Sequence, residues 1–289
     1  FLWSMLWHLL PHMAVWSPWH NYRRWDQFAT EHSRCYAELA QEASTLLARD
    51  ALASDLWVLI DRLQILNREL LTIHRWTLTC TDLVYSLQRR LVRAWAKDTA
   101  AMEASTALVT GLPNRSAEMD RALHRLASLK EDGSTFEAEL AAFFESYGHR
   151  SLYLDIYHPP LSAQPAQVRE WVRRIRQEAA RVPMTSTDTS QEQERLRKSV
   201  QRGMLGRLKW WMLRKVIALT QHYMPLREDQ RYAWQKALAL QRELFLGVGA
   251  RMARAGALAH AGYVFFLLKS EVALWVHSGD HRMSSHIAP

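Results

Sequence analysis

The sequence predicts an all-α protein, a large multi-helix domain with long antiparallel helices, and three observations carry that expectation. Apolar residues recur at three- and four-residue steps through most of the 289 residues, the period of an amphipathic helix. The stretch from Ala51 to Ala96 has no glycine or proline at all. Only one run, GYVFFLL at 262–268, reads as strand-like.

The elements follow in chain order. FLWSMLWHLL (1–10) puts Trp3, Leu6, Trp7 and Leu10 on one helical face that suits docking on a core or partner. Pro11 ends it, and ten residues cannot span a bilayer. From Tyr22 to Arg49 the stripe Trp25, Phe28, Cys35, Leu39, Leu46 predicts a helix. Residues 51–96 predict one very long helix, or two with a tight break near Thr77–Thr81. Gly111 and Pro113 then stop the chain, Asn114 is placed to cap, and Met119, Leu123 and Leu126 form the next stripe. A helix over 134–147 ends at Gly148, and Pro159 and Pro160 bias residues 151–164 toward extended backbone. A helix over 166–181 precedes the polar stretch 182–194, read as a flexible connection. Two long helices, 192–222 and 226–255, the second opened by Pro225, are followed by 262–268 and a short helix through Trp275. The expected organisation is a Trp-rich helical region over 1–181, the connection, and a helical hairpin with C-terminal segment over 195–289, forming one structural unit.

Composition narrows the class. With 48% hydrophobic residues the chain buries a sizeable core. Thirteen tryptophans suggest that several line grooves or interfaces, since each indole N–H needs a partner. A net charge of +8 permits nucleic acid, anionic membrane or phosphorylated ligands without choosing among them. Cys35 and Cys80 are the two thiols, which need no disulfide framework and suit a reducing cytoplasm. The first residue is Phe1, so the chain is read as a segment of something longer.

Known chemical motifs are few. There is no phosphate loop, nucleophile elbow, H-E-x-x-H or C-x-x-C. GVGARMARAG (247–256) lies in a helical pattern with no preceding strand and reads as small-residue packing. His277, His281 and His286 have no Cys or carboxylate cluster beside them, so no metal site is expected. The basic stretch 194–215, with Trp210 and Trp211, fits either a nucleic-acid-binding face or a solvated helix face with the tryptophans turned inward. Arg227 and Arg231, four apart in PLREDQRYAWQK (224–236 with Met224), suit either a bidentate phosphoryl clamp or pairing with helix carboxylates. In FFESYGHRSLYLDIYHPP (143–160), a glycine stop with His149 and Arg150 answering helix carbonyls explains three residues. Asp155 and the tyrosines around it are left over and read as a wall or a dock.

Three blocks in order resemble one family. FFESYGHRSLYLDIYHPPLSAQP (143–165) resembles the F-x-x-x-Y-G-H-R … D … P … P signature of phosphoenolpyruvate-utilising phosphotransferases, the phosphoenolpyruvate synthase-like and rifampicin phosphotransferase-like enzymes. GLPNRSAEMDRALHRLA (111–127) is similar to a block upstream of it in those proteins. Residues 225–258 and 263–275 resemble the helical stretch ahead of their swivelling histidine domain. The resemblance implies a central helical part that binds an apolar small-molecule acceptor. ATP-grasp and phosphohistidine domains are its partners, and ATP and Mg2+ are needed only by the full-length enzyme. This segment would carry no cofactor, bind neither nucleic acid nor membrane, and be inactive alone. It directs attention to Arg227 and Arg231 as phosphoryl or acceptor contacts, and to His149, Arg150, Asp155, Trp210 and Trp211 as substrate-binding or interdomain residues. The alternative is a basic helical scaffold for nucleic acid or an anionic membrane surface.

Overall fold

A computed structural model describes residues 18–96, 99–131, 133–179, 189–202 and 205–278. The docking face of 1–10, residues 182–188 of the polar connection, and His281 and His286 lie outside the described residues. Every regular element among the described residues is helical. The α-helices are α1 (Pro18–Ala48), α2 (Ala53–Trp95), α3 (Thr99–Ala107), α4 (Arg115–Ser128), α5 (Ser134–Tyr147), α6 (Pro165–Ala179), α7 (Thr189–Val200), α8 (Gly206–Arg254) and α9 (Lys269–Ser278). Short 3-10 turns lie at Leu161–Ala163 and Ala261–Phe266.

The chain divides into two compact units. The first takes Ile73–Glu145 and Ala166–Tyr232 with the described part of Phe1–Arg24, and the second takes Trp25–Thr72, Ser146–Pro165 and the described part of Ala233–Pro289. Each contains one part of α2 and one of α8, which pack together. In the first unit Val92 of α2 meets Leu213 and Ile217 of α8 in a core shared with Ala101, Ala104, Leu108, Leu196 and Val200. In the second, Leu56, Trp57, Leu59, Ile60 and Leu63 of α2 pack with Leu240, Leu244, Phe245, Val248 and Met252 of α8, and α1 adds Leu39, Ala43 and Leu46. Trp57 and Phe245 meet edge to face at 6.2 Å, a favoured aromatic geometry.

Local chemistry sets several boundaries as the sequence predicts. Asn114 caps α4: its backbone is extended and its side chain accepts from the Ala117 N–H at 2.9 Å. Asn114→Ala is expected to cost about 1 kcal/mol in chemical denaturation, the usual worth of such a cap. At the other end of α4, Arg176 donates to the carbonyls of Ala127 and Leu129 at 2.9 and 2.8 Å, answering groups the helix leaves open.

One alternative is decided, and three expectations need correction. Residues 51–96 contain one helix, the first of the two alternatives, with no break near Thr77–Thr81, where Thr77 and Thr81 return their hydroxyls to the carbonyls of Ile73 and Thr77. Pro225 does not open a helix; it lies inside α8. A proline there removes one helical hydrogen bond and crowds the preceding turn. The neighbouring side chains are well held, with Tyr223 and Leu226 buried and Gln221 donating to the Leu108 carbonyl at 2.8 Å. The strand-like 262–268 is largely the 3-10 turn Ala261–Phe266, since no strand among the described residues is there to pair with it. Residues 152–158 run as a series of bends in place of an extended strand.

Candidate functional site

In the second unit, residues 148–162 form a loop closed by its own backbone. The Leu161 N–H donates to the Arg150 carbonyl at 2.7 Å and the Ser162 N–H to the Gly148 carbonyl at 2.9 Å. Side chains shape the interior of the loop. Asp155 Oδ1 accepts the His158 N–H at 2.9 Å, the side-chain-to-backbone turn that aspartate favours. The Tyr153 N–H reaches Ser151 Oγ at 3.2 Å, and Gln164 Nε2 donates to the Pro159 carbonyl at 2.8 Å.

This loop faces α8 across a small cleft of about 10 Å³, room for one water-sized group, walled on the loop side by His149, Ser151, Tyr153, Asp155, His158 and Pro160. The other wall is Gln235, Leu238, Ala239 and Arg242, a spacing that places four side chains on one helical face. Gln235 clasps the two walls. Its Oε1 accepts from Arg150 Nε at 3.0 Å, and its Nε2 donates to the Ser151 carbonyl at 2.8 Å. Arg242 does the same lower down, donating Nη1 to the carbonyls of Ile156 (2.6 Å) and Tyr157, with its guanidinium 4.9 Å from the centre of the Phe265 ring.

The cleft contains two imidazoles of different character. His149 is pushed down to about 3 by burial, with Lys236 and Arg150 adding unfavourable positive charge, so it is neutral at pH 7. His158 Nδ1 lies 2.9 and 2.8 Å from the two Asp155 oxygens. Asp155 is held below its usual value by the His158 backbone and side chain, against an opposing desolvation that is the largest single influence. Tyr153 stacks on the His158 ring at 3.9 Å and 26°, and Tyr157 meets it edge-on at 5.4 Å. From there an aromatic band continues outward, Tyr157 to Phe266 at 5.6 Å and Phe266 to Tyr263 at 6.3 Å. Tyr153, Tyr157, Tyr263 and Phe266 are all exposed, and such a contiguous apolar surface marks a binding region.

The first unit holds the arginine pair. Arg227 donates Nε and Nη2 to Glu228 Oε1 at 3.3 and 3.2 Å, while Glu228 Oε2 accepts from Ser116 Oγ at 3.3 Å. Arg231 makes no hydrogen bond or ion pair to a described residue, and its Nε is buried. The two alternatives therefore divide: Arg227 has its carboxylate and Arg231 does not. A buried guanidinium N–H is costly to leave without an acceptor. Sequence reasoning missed His74, whose Nδ1 lies 3.1 Å from Gln230 Oε1 and whose basicity is lowered by burial and by the charges of Arg227 and Arg231. Gln230 in turn donates to Thr77 Oγ at 2.9 Å. No periodicity signals such a contact between residues so far apart in sequence.

Of the residues singled out by sequence, His149 and Asp155 line the cleft and Arg150 fixes its wall. Arg227, Arg231, Trp210 and Trp211 belong to the first unit. Trp210 packs against the core around Leu213, whereas Trp211 is exposed. Sequence reading missed the whole α8 wall, and it assigned His158 no role.

No curated protein sequence matches the chain. Residues 125–228 match a family model, that of the rifampicin phosphotransferase fourth domain. The loop wall of the cleft falls inside that span, as do Arg227, Trp210 and Trp211. Over residues 125–228, then, the chain is similar to the fourth domain of rifampicin phosphotransferase.

Proposed function

We propose that this chain is the acceptor-binding helical segment of an ATP-dependent, dikinase-type phosphotransferase, and that the second-unit cleft receives the acceptor. The carrying observation is the exposed aromatic band of Tyr153, Tyr157, Tyr263 and Phe266 beside a small polar cleft, whose loop wall lies within the matched span. Apolar entry with a few placed polar groups is the usual build of a small-molecule site. The overall reaction is ATP + acceptor + water to AMP + phosphate + phospho-acceptor. ATP-grasp and swivelling phosphohistidine domains supply the phosphoryl group and are this segment's partners.

ATP and Mg2+ belong, in this reading, to the ATP-grasp domain. Among the described residues no group of three His, Cys, Asp or Glu is arranged to hold a metal ion. In the first unit, Arg227 and Arg231 offer fixed positive charge of the kind that stabilises phosphoryl oxygens. Arg231 supports this best, because its buried Nε has no hydrogen-bond acceptor among the described residues. Asp155 and His149 orient the acceptor, Arg150 holds the wall, and Trp211 and Trp210 serve contact with a partner domain.

Rifampicin is the probe, titrated into the chain by calorimetry. Saturable binding is expected, and Tyr153→Ala is expected to weaken it about tenfold, the loss of a stacked ring at an anchor position. No binding at any concentration up to the solubility limit removes the acceptor role. With ATP-grasp and phosphohistidine domains added, Arg231→Ala is expected to lower turnover about 10²-fold. An unchanged rate takes Arg231 out of the site.

A further inference from the structure

We infer that His158 is the proton acceptor for the hydroxyl that is phosphorylated, with Asp155 as its positioning residue. The inference rests on the acceptor-binding role of the cleft. Asp155 is ionised at neutral pH and accepts from His158 twice, at the backbone N–H and at Nδ1. A carboxylate at Nδ1 fixes that nitrogen as the N–H, so the lone pair of the neutral ring sits on Nε2. Nε2 makes no hydrogen bond to a described residue. Tyr153, stacked on the ring face, and Tyr157, against its edge, restrict the ring further. The result is a base, an orienting group and a cleft for the reacting hydroxyl, the arrangement by which side chains activate oxygen nucleophiles.

The second imidazole of the cleft is unsuited to that role. His149 is pushed down to about 3 by burial and by Lys236 and Arg150, which makes it a poor proton acceptor. The charged group facing the dyad from α8 is Arg242, on which Asp155 and Tyr157 act.

The step balances as follows. The acceptor O–H gives its proton to His158 Nε2 as the oxygen lone pair attacks the phosphorus of an N-phosphorylated imidazole on the partner domain. The P–N bond breaks, its electron pair stays on the leaving imidazole nitrogen, and that nitrogen takes up a proton. The products are the phosphate monoester and a neutral histidine, and His158 returns its proton to solvent.

The test uses the full chain with rifampicin, and with ATP and the two partner domains for turnover. His158→Gln is expected to lower kcat about 10²-fold, the usual contribution of a general base, and by far more than it lowers rifampicin affinity. The acidic limb of the kcat profile should vanish in the same variant, and Asp155→Asn should shift that limb and lower kcat about tenfold. In the chain alone, ¹⁵N spectra should show His158 carrying its proton on Nδ1 above the pH of the limb, and Asp155→Asn should mix the tautomers. A His158→Gln variant with normal kcat, or one that changes only affinity, overturns the inference while leaving acceptor binding intact. A proton on Nε2 overturns it too. If the wild-type chain binds no rifampicin, the acceptor reading fails first and this inference falls with it.

Discussion

Lowering the pH from 8 to 5 is expected to cost the protein about 2 kcal/mol of stability through His149 alone. The folded value for His149, about 3, lies below the ordinary histidine value near 6.5. A base that is harder to protonate when folded favours the unfolded chain in acid. Its contribution is therefore intact above about pH 6.5 and is lost as pH falls from there toward 3, at about 1.4 kcal/mol per pH unit. His32 and His74 are also lowered by burial and add loss in the same direction. The measurement is guanidinium denaturation of wild type and His149→Gln at pH 8 and pH 5. The wild type should lose about 2 kcal/mol more than the variant, and parallel losses in the two proteins refute the assignment.

Gly249→Ala is expected to destabilise the second unit by about 3 kcal/mol, the upper range for forcing a methyl group into packed structure. A Cβ at Gly249 would lie 2.2 Å from the Ala261 carbonyl oxygen and 3.1 Å from Val264 Cβ. Ala261 begins the 3-10 turn, and backbone cannot swing aside as a flexible side chain would. The same turn carries Phe265, against Arg242, and Phe266, against Tyr157. The variant should thus weaken rifampicin binding as well as stability. Gly262→Ala is the control: nothing lies within 4 Å of its Cβ. Equal denaturation midpoints for Gly249→Ala and wild type would contradict the close approach.

These two residues show where sequence reading succeeds and where it stops. The loop wall of the cleft was legible, because helix stop, acid, tyrosines and prolines crowd into 143–160 with no simpler local account. The α8 wall was not. Gln235, Leu238, Ala239 and Arg242 are ordinary helix residues, and only their placement opposite the loop makes them a wall. Pro225 and GYVFFLL misled for a related reason. Each was read by local propensity, and packing or the absence of a pairing strand decided the outcome. The all-helical class survived because 3.6-residue periodicity over a 43-residue helix averages out such local conflicts.

The Gln235 clasp has a directional consequence. The Arg150 guanidinium can only donate and the Ser151 carbonyl can only accept. The residue between them must therefore offer an acceptor to one side and a donor to the other. Glutamate would set oxygen against oxygen at Ser151, and lysine would set hydrogen against hydrogen at Arg150. Because the amide carries no charge of its own, the width of the cleft is keyed by polarity, and neither added salt nor a modest change of pH loosens that key.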